Sequence, residues 1–360
     1  MRSRFVATFA LVLVGCGDAG TTGVNPAPAG EPWAKLSQWG LFTDLAAQVP
    51  ANGVHPYEVI APLFSDYTEK HRFFWVPEGT QVTVTDDGVW SFPVGAILVK
   101  TFAYAQTAGG DPASERLLET RLLVHEPNGW VPHSYIFAAN ASDATLKVAG
   151  AFIPATFVTA DGETRETTYI VPTKNQCFEC HGTDTRTGPL GPKTAQLDRP
   201  VHPRLVSADA PDNQLDRYLA HGVIDRRPTA TTLFAAPDDT TANLELRARS
   251  YLDANCAHCH SPTGDASAKG LYLDFASTGP DQPASNWGVC KVPTSAGGST
   301  CGHVYDVVPG SAATSIMTCR MASTEGKDQM PPLGRAIAHD EGLALITEWI
   351  DTMSPVGCDR

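Results

Sequence analysis

Between residues 80 and 172, short runs of alternating apolar and polar positions are separated by turn residues. Residues 81–85 alternate, Asp87-Gly88 reverses the chain into 89–92, and Ile97–Tyr104 follows as an apolar run. Segments 121–125 and 130–137 flank Asn128-Gly129, and segments 156–159 and 167–171 flank Asp161-Gly162. Both dipeptides favour tight hairpins. Two-residue periodicity with such turns predicts an antiparallel sheet or small sandwich. Before it, Trp39 and Phe42 are placed to anchor a short helix, and residues 62–67 read as an ordered loop in which Asp66 and Tyr67 serve structure. After it, residues 213–220 read as a short helix.

The period changes near Thr241. Leu244, Ala248, Tyr251 and Leu252 recur at helical spacing, and Leu343, Ile346, Trp349, Ile350 and Met353 line one side of a second helix. Asp340 and Glu341 open that helix, where acidic groups suit its dipole. Pro172 leaves no room for a long helix ahead of Cys177, so that segment is expected to be held by a loop.

Two pentapeptides carry the chemistry: Cys177-Phe178-Glu179-Cys180-His181 and Cys256-Ala257-His258-Cys259-His260. Two thiols three residues apart, followed at once by an imidazole, suit covalent attachment of heme: each thiol adds to a vinyl group and the histidine is held against the iron. One such pentapeptide can be accidental; two point to two covalently bound heme c groups, with thioethers at Cys177, Cys180, Cys256 and Cys259 and proximal ligands at His181 and His260. Met330, in Gln329-Met330-Pro331-Pro332, is the preferred distal ligand for the second heme, with Met321 as its rival. No methionine lies between Met1 and Met317, which leaves the first heme without a nearby thioether. His221 and His202 downstream, and His55, His71, His125 and His133 from the β region, are its distal candidates, or the position is open. A helix ending in a heme signature, a Met-Pro-Pro loop and a closing helix with an aromatic are parts of the ordinary cytochrome c fold. The expected fold class is therefore α+β: an antiparallel β domain over 32–172, a loop-bound heme segment over 173–240, and an all-α cytochrome c domain over 241–360.

The N-terminus adds an address. Arg2 and Arg4 precede a short apolar run ending Leu13-Val14-Gly15-Cys16. This has the form of a lipoprotein signal peptide over 1–16, with lipidation at Cys16 and a Gly/Pro-rich tether over 17–31. The expected location is the bacterial envelope, with the membrane as a partner through the lipid. Of nine cysteines, one goes to lipid and four to heme; Cys290, Cys301, Cys319 and Cys358 remain for disulfides. Sequence proximity favours Cys290 with Cys301 and Cys319 with Cys358 among three possible pairings. The formal net charge of −13 disfavours nucleic acid and suits a basic protein partner.

Further residues carry a resemblance. Pro62-Leu63-Phe64-Ser65-Asp66-Tyr67, Lys100-Thr101-Phe102, Asn175-Gln176 before the first signature, Arg247 to Leu252, Asn255 before the second, Gly288 to Lys291, Met330-Pro331 and Leu333-Gly334-Arg335 stand in one order along nearly the whole mature chain. Together they resemble a family of bacterial diheme c-type cytochromes with a long N-terminal β-rich region. The resemblance implies heme binding and electron transfer, with a redox protein or an exported dehydrogenase as partner, and it supplies no substrate. Two other classes compete: a diheme, peroxidase-like enzyme with an open site at the first heme, and a β-domain binding module with auxiliary hemes. Diheme peroxidases are largely helical, and the long β region argues against them.

Overall fold

The computed structural model describes residues 23–107, 110, 114–183, 186–200, 213–294 and 300–358. The signal peptide with Cys16, the start of the tether, and His202 lie outside them. A six-stranded antiparallel meander dominates: β3 (Val54–Tyr57), β4 (Glu69–Trp75), β5 (Ile97–Tyr104), β6 (Arg116–Glu126), β7 (Gly129–Phe137) and β8 (Ala144–Leu146), neighbours in that order. It is preceded by a small ribbon of β1 (Phe42–Asp44) with β2 (Val49–Pro50), and followed by the hairpin of β9 (Ala151–Val158) and β10 (Thr164–Val171). Glu126 pairs with Gly129 across the β6–β7 turn, so Pro127 and Asn128 are its central residues and Gly129, at positive φ, closes it. Residues 81–85 and 89–92 do not form full strands; they meet at the single bridge Thr83–Ser91.

Both faces of the meander are covered. Phe73, Val99, Leu122 and Tyr135 pack under Leu36, Trp39 and Leu41 of the N-terminal segment. There Trp39 Nε1 donates to the Tyr135 hydroxyl at 2.8 Å, which satisfies the indole inside the core. The opposite face is covered in two patches. At one end Phe74, Leu98, Leu123 and Trp130 pack against Trp90, Phe92 and the short helices α2 (Thr194–Leu197) and α3 (Gln214–Ala220). At the other, Phe102, Tyr104 and Leu118 pack against Phe157 and Tyr169 of the β9–β10 hairpin. Each such side chain contributes about 1.5–3 kcal/mol of burial. A cavity opens in the gap between the patches.

The first signature is carried by a helix rather than a loop. α1 (Lys174–His181) begins with a capping box: Thr173 accepts from the Gln176 N–H, and Gln176 accepts from the Thr173 N–H. Pro172 lies outside the cap, so it blocks a helix upstream of the signature and leaves the one after it intact. A small ribbon of β11 (Gly182–Thr183) with β12 (Arg186–Thr187) follows.

The C-terminal part does not form a distinct all-α cytochrome c domain. The helical periodicities do correspond to α4 (Leu244–Asn255) and α6 (Asp340–Thr352), which pack with α5 (Ile316–Ala322) through Ala248, Leu252, Met317, Leu345, Ile346 and Ile350. α4 and α6 approach so closely that a Cβ on Gly342 would collide with the Tyr251 ring. Among the described residues, the chain between α4 and α5 is instead loops, single 3-10 turns and the bridges Val289–Val307 and Tyr305–Ser315. These helices also lean on the β part. Asn255 Oδ1 accepts from Phe64 N at 2.7 Å, and Asp66 accepts from Ala336 N and Ile337 N at 2.7 and 3.1 Å. Lys193 pairs with Asp253 at 2.5 Å. Helical periodicity predicts individual helices; it carries no information on whether they close a core of their own.

The disulfides are Cys290–Cys358 and Cys301–Cys319, not the sequence-adjacent pairs. Cys290 N donates to Val307 O, and the Tyr305 hydroxyl donates to Cys358 O at 2.6 Å. A main-chain bond at Cys290 and a side-chain bond from Tyr305 thus bring the C-terminal tail beside Cys290. None of the described helices is long and apolar enough to cross a membrane.

Candidate cofactor cavity

The gap beneath the meander is a cavity of about 940 Å³, bordered by both signatures. That is near the top of the usual range for small-molecule and cofactor sites, roughly 300–1,000 Å³. α1 brings Cys177, Cys180 and His181 to one wall, and the turn after α4 brings Cys256, Cys259 and His260 to another. The four thiols are free. The signatures abut: the sulfurs of Cys180 and Cys259 and a ring nitrogen of His258 lie within 4.8 Å of one another. Burial pushes the Cys256 thiol up to about 12, so it is held protonated.

The two histidines that close the signatures are set differently. His181 Nδ1 lies 3.0 Å from the carbonyl oxygen of Gly188, which fixes the tautomer with Nδ1 protonated and leaves Nε2 as the lone-pair donor. Nδ1 of His260 faces the Leu271 main chain but is buried without a hydrogen bond of normal geometry. Burial lowers both imidazoles to about 4, so each is neutral near pH 7, as a metal ligand must be. Tautomer-fixed or buried neutral imidazoles beside paired free thiols are the donor set that covalent heme needs, and these residues fit the group.

Met330 borders the cavity on the loop before α6, and so does Met321 on α5. The Met330 loop is pinned by Arg335, which is 4% exposed. Its guanidinium donates to the carbonyls of Met330, Ser323, Arg320 and Ile337 at 2.8–3.2 Å. Both methionines line the cavity, and Arg335 ties the Met330 loop to the end of α5 that carries Met321.

His221 is not brought there. It is exposed on the far side of α3, with its ring 5.4 Å from that of His55. His55 is packed against Phe74 and Tyr218, His71 is paired with Glu115 at 2.5 Å, and His125 stacks on Trp130. His133 borders the cavity wall while tilting against Trp39. Two other histidines at the cavity were not singled out as ligands from sequence. His258 lies inside the second signature, and His339 stacks on Phe64 at 4.1 Å and meets the Tyr251 hydroxyl at 3.1 Å.

Three cations at the cavity were also missed: Arg72, Lys100 and Arg121. A signal was present for Lys100, which with Thr101 breaks the apolar run of β5, whereas Arg121 follows the polar Glu119 and Thr120 in β6. Protein-family models, curated proteins and solved structures contain no match to the chain.

Proposed function

We propose that the chain is an envelope-anchored diheme c-type cytochrome that transfers electrons to or from a redox partner protein, an exported dehydrogenase among the candidates. The observation that carries this reading is the meeting of two Cys-x-x-Cys-His signatures in one cavity, with the Nδ1 of His181 held by a main-chain carbonyl and its Nε2 left free. Covalently held heme supplies a reversible one-electron iron couple. Cys177 with Cys180, and Cys256 with Cys259, would hold the two groups; His181 and His260 would ligate iron, with Met330 completing the second site. A soft thioether there favours ferrous iron and raises the potential. Close approach of Cys180 and Cys259 keeps the two attachment points adjacent, which suits relay between sites. The net charge of −13 suits docking to a basic partner surface.

Spectroscopy of protein produced with a heme-attachment system tests the reading. Two low-spin, six-coordinate hemes that reduce and reoxidise without peroxide turnover are expected. A high-spin heme reacting rapidly with peroxide would transfer the protein to the peroxidase-like class.

A second reading follows from the cluster of Cys180, His258 and Cys259, which is the nitrogen and sulfur set of a zinc-type site. It excludes the first, because it uses a thiol from each signature.

A further inference from the structure

Arg72, Lys100 and Arg121 stand directly opposite one another on β4, β5 and β6, and Ser134 continues the row on β7. Like charges at adjacent register positions are unfavourable, and more so on a face shielded from water. The row nevertheless occupies the strip between the two apolar patches of that face, where it borders the cavity.

The internal counter-charge falls short. Arg121 forms a two-pronged pair with buried Glu119 at 2.8 and 2.9 Å, and Glu119 also accepts from the Tyr169 hydroxyl. Arg72 makes a 3.2 Å bond to the Lys70 carbonyl and no ion pair among the described residues. Lys100 has neither a hydrogen bond nor an ion pair from its side chain among them; its ammonium sits 4.9 Å from the Phe102 ring centre. Of the other carboxylates at the cavity, Asp253 pairs with Lys193 and Asp306 with Lys291, while Asp274 accepts from Ser277 N and pairs with no cation of the row among the described residues. Glu179 is exposed on α1. Two cations of the row, Arg72 and Lys100, therefore face the cavity without a carboxylate partner among the described residues.

We propose that Arg72, Lys100 and Arg121 form a carboxylate-binding row that receives the propionates of the heme held by Cys177 and Cys180. The inference rests on the diheme reading and gives the β-sheet a task within it. Heme brings two carboxylates, which matches the two unpaired cations. The row lies on the side of the first signature: α1, which carries Cys177, Cys180 and His181, packs on β7, where Ser134 continues the row opposite Arg121, and all of them line one cavity. Guanidinium groups suit carboxylates through paired N–H donors, while the ammonium adds a point charge. The sheet thereby does for the first site what a closed helical domain does elsewhere: it seats the polar edge of the group.

The test compares the full-length holoprotein with its Lys100→Gln and Lys100→Arg variants. Heme content is read by intact mass, and both midpoint potentials by spectroelectrochemical titration. The expected result is two hemes throughout, one potential lowered in Lys100→Gln, and that potential restored in Lys100→Arg. Two hemes with both potentials unchanged would overturn the assignment. A wild-type chain without heme would overturn the diheme reading itself, and the row's role with it. Should Lys100→Gln not fold, Arg72→Gln is read the same way. Acetate added to the wild-type holoprotein distinguishes a free carboxylate: a potential that moves with acetate, and stops moving in Lys100→Gln, places a free ligand on the row and overturns the propionate assignment.

Discussion

His181 and Gly188 are joined twice: the imidazole Nδ1 lies 3.0 Å from the Gly188 carbonyl oxygen, and the Gly188 N–H donates to the His181 carbonyl at 2.6 Å. The glycine thus holds both the ring and the main chain of the residue that ends the first signature. Substituting His181 by Ala removes the proposed ligand and leaves all four thiols. Heme content by mass is expected to stay at two while one heme becomes high-spin in its absorption and paramagnetic-resonance spectra. An unchanged low-spin pair would remove His181 from the iron.

Met330 and Met321 both reach the cavity, and redox titration separates them. Met330→Ala is expected to lower the potential of a single heme, since loss of a thioether favours ferric iron. Met321→Ala should leave both potentials in place and cost about 2–5 kcal/mol of stability at most, as a partly buried core methionine. An unchanged titration in Met330→Ala, with a shift in Met321→Ala, would reverse the assignment.

Acid should destabilise the fold through buried histidines outside the two signatures. Burial, with the charges of His221 and Arg217, lowers His55 to about 4; burial and Lys174 do the same for His133. The unfolded chain then binds more protons than the folded one between pH 6.5 and about 4, so stability falls as pH drops through that window. The effect is on the order of 2–3 kcal/mol per histidine. Denaturant unfolding at pH 7 and pH 4.5 measures it, and His133→Gln should flatten the slope. Equal stability at the two pH values would contradict the buried neutral state.

Non-reducing peptide mapping is expected to recover Cys290 joined to Cys358 and Cys301 joined to Cys319. The first closes a loop with a sequence separation of 68. On the loop-entropy account, removing it through Cys290→Ser with Cys358→Ser should cost ~4 kcal/mol. A peptide joining Cys290 to Cys301 would refute the pairing.

What could be read from sequence was local. The Asn128-Gly129 hairpin, the strand at Ile97–Tyr104 and the periodicities of α4 and α6 each depend on neighbours a few residues away, and each is found in the fold. Asn255, beside the second signature, was legible as part of a motif, but its acceptance of Phe64 N crosses most of the chain. The same holds for Asp66 under Ala336 and for Cys358 beside Cys290. Pro172 leaves no room for a long helix ahead of Cys177, but the loop expected from it is instead the short helix α1, whose cap at Thr173 begins just past the proline. The cation row was partly visible: Lys100 stands out within the largely apolar β5, but only strand pairing aligns it with Arg72 and Arg121 beside the cavity.

The central claim is that both signatures carry heme, and intact mass combined with a pyridine hemochrome assay measures it most directly. The account predicts a mass increase of two hemes and a hemochrome ratio of two per chain, with the groups mapped to the peptides of Cys177 and Cys180 and of Cys256 and Cys259. Four alkylatable thiols with no hemochrome, or a chain that instead retains a metal lost on Cys180→Ser or Cys259→Ser, would contradict it.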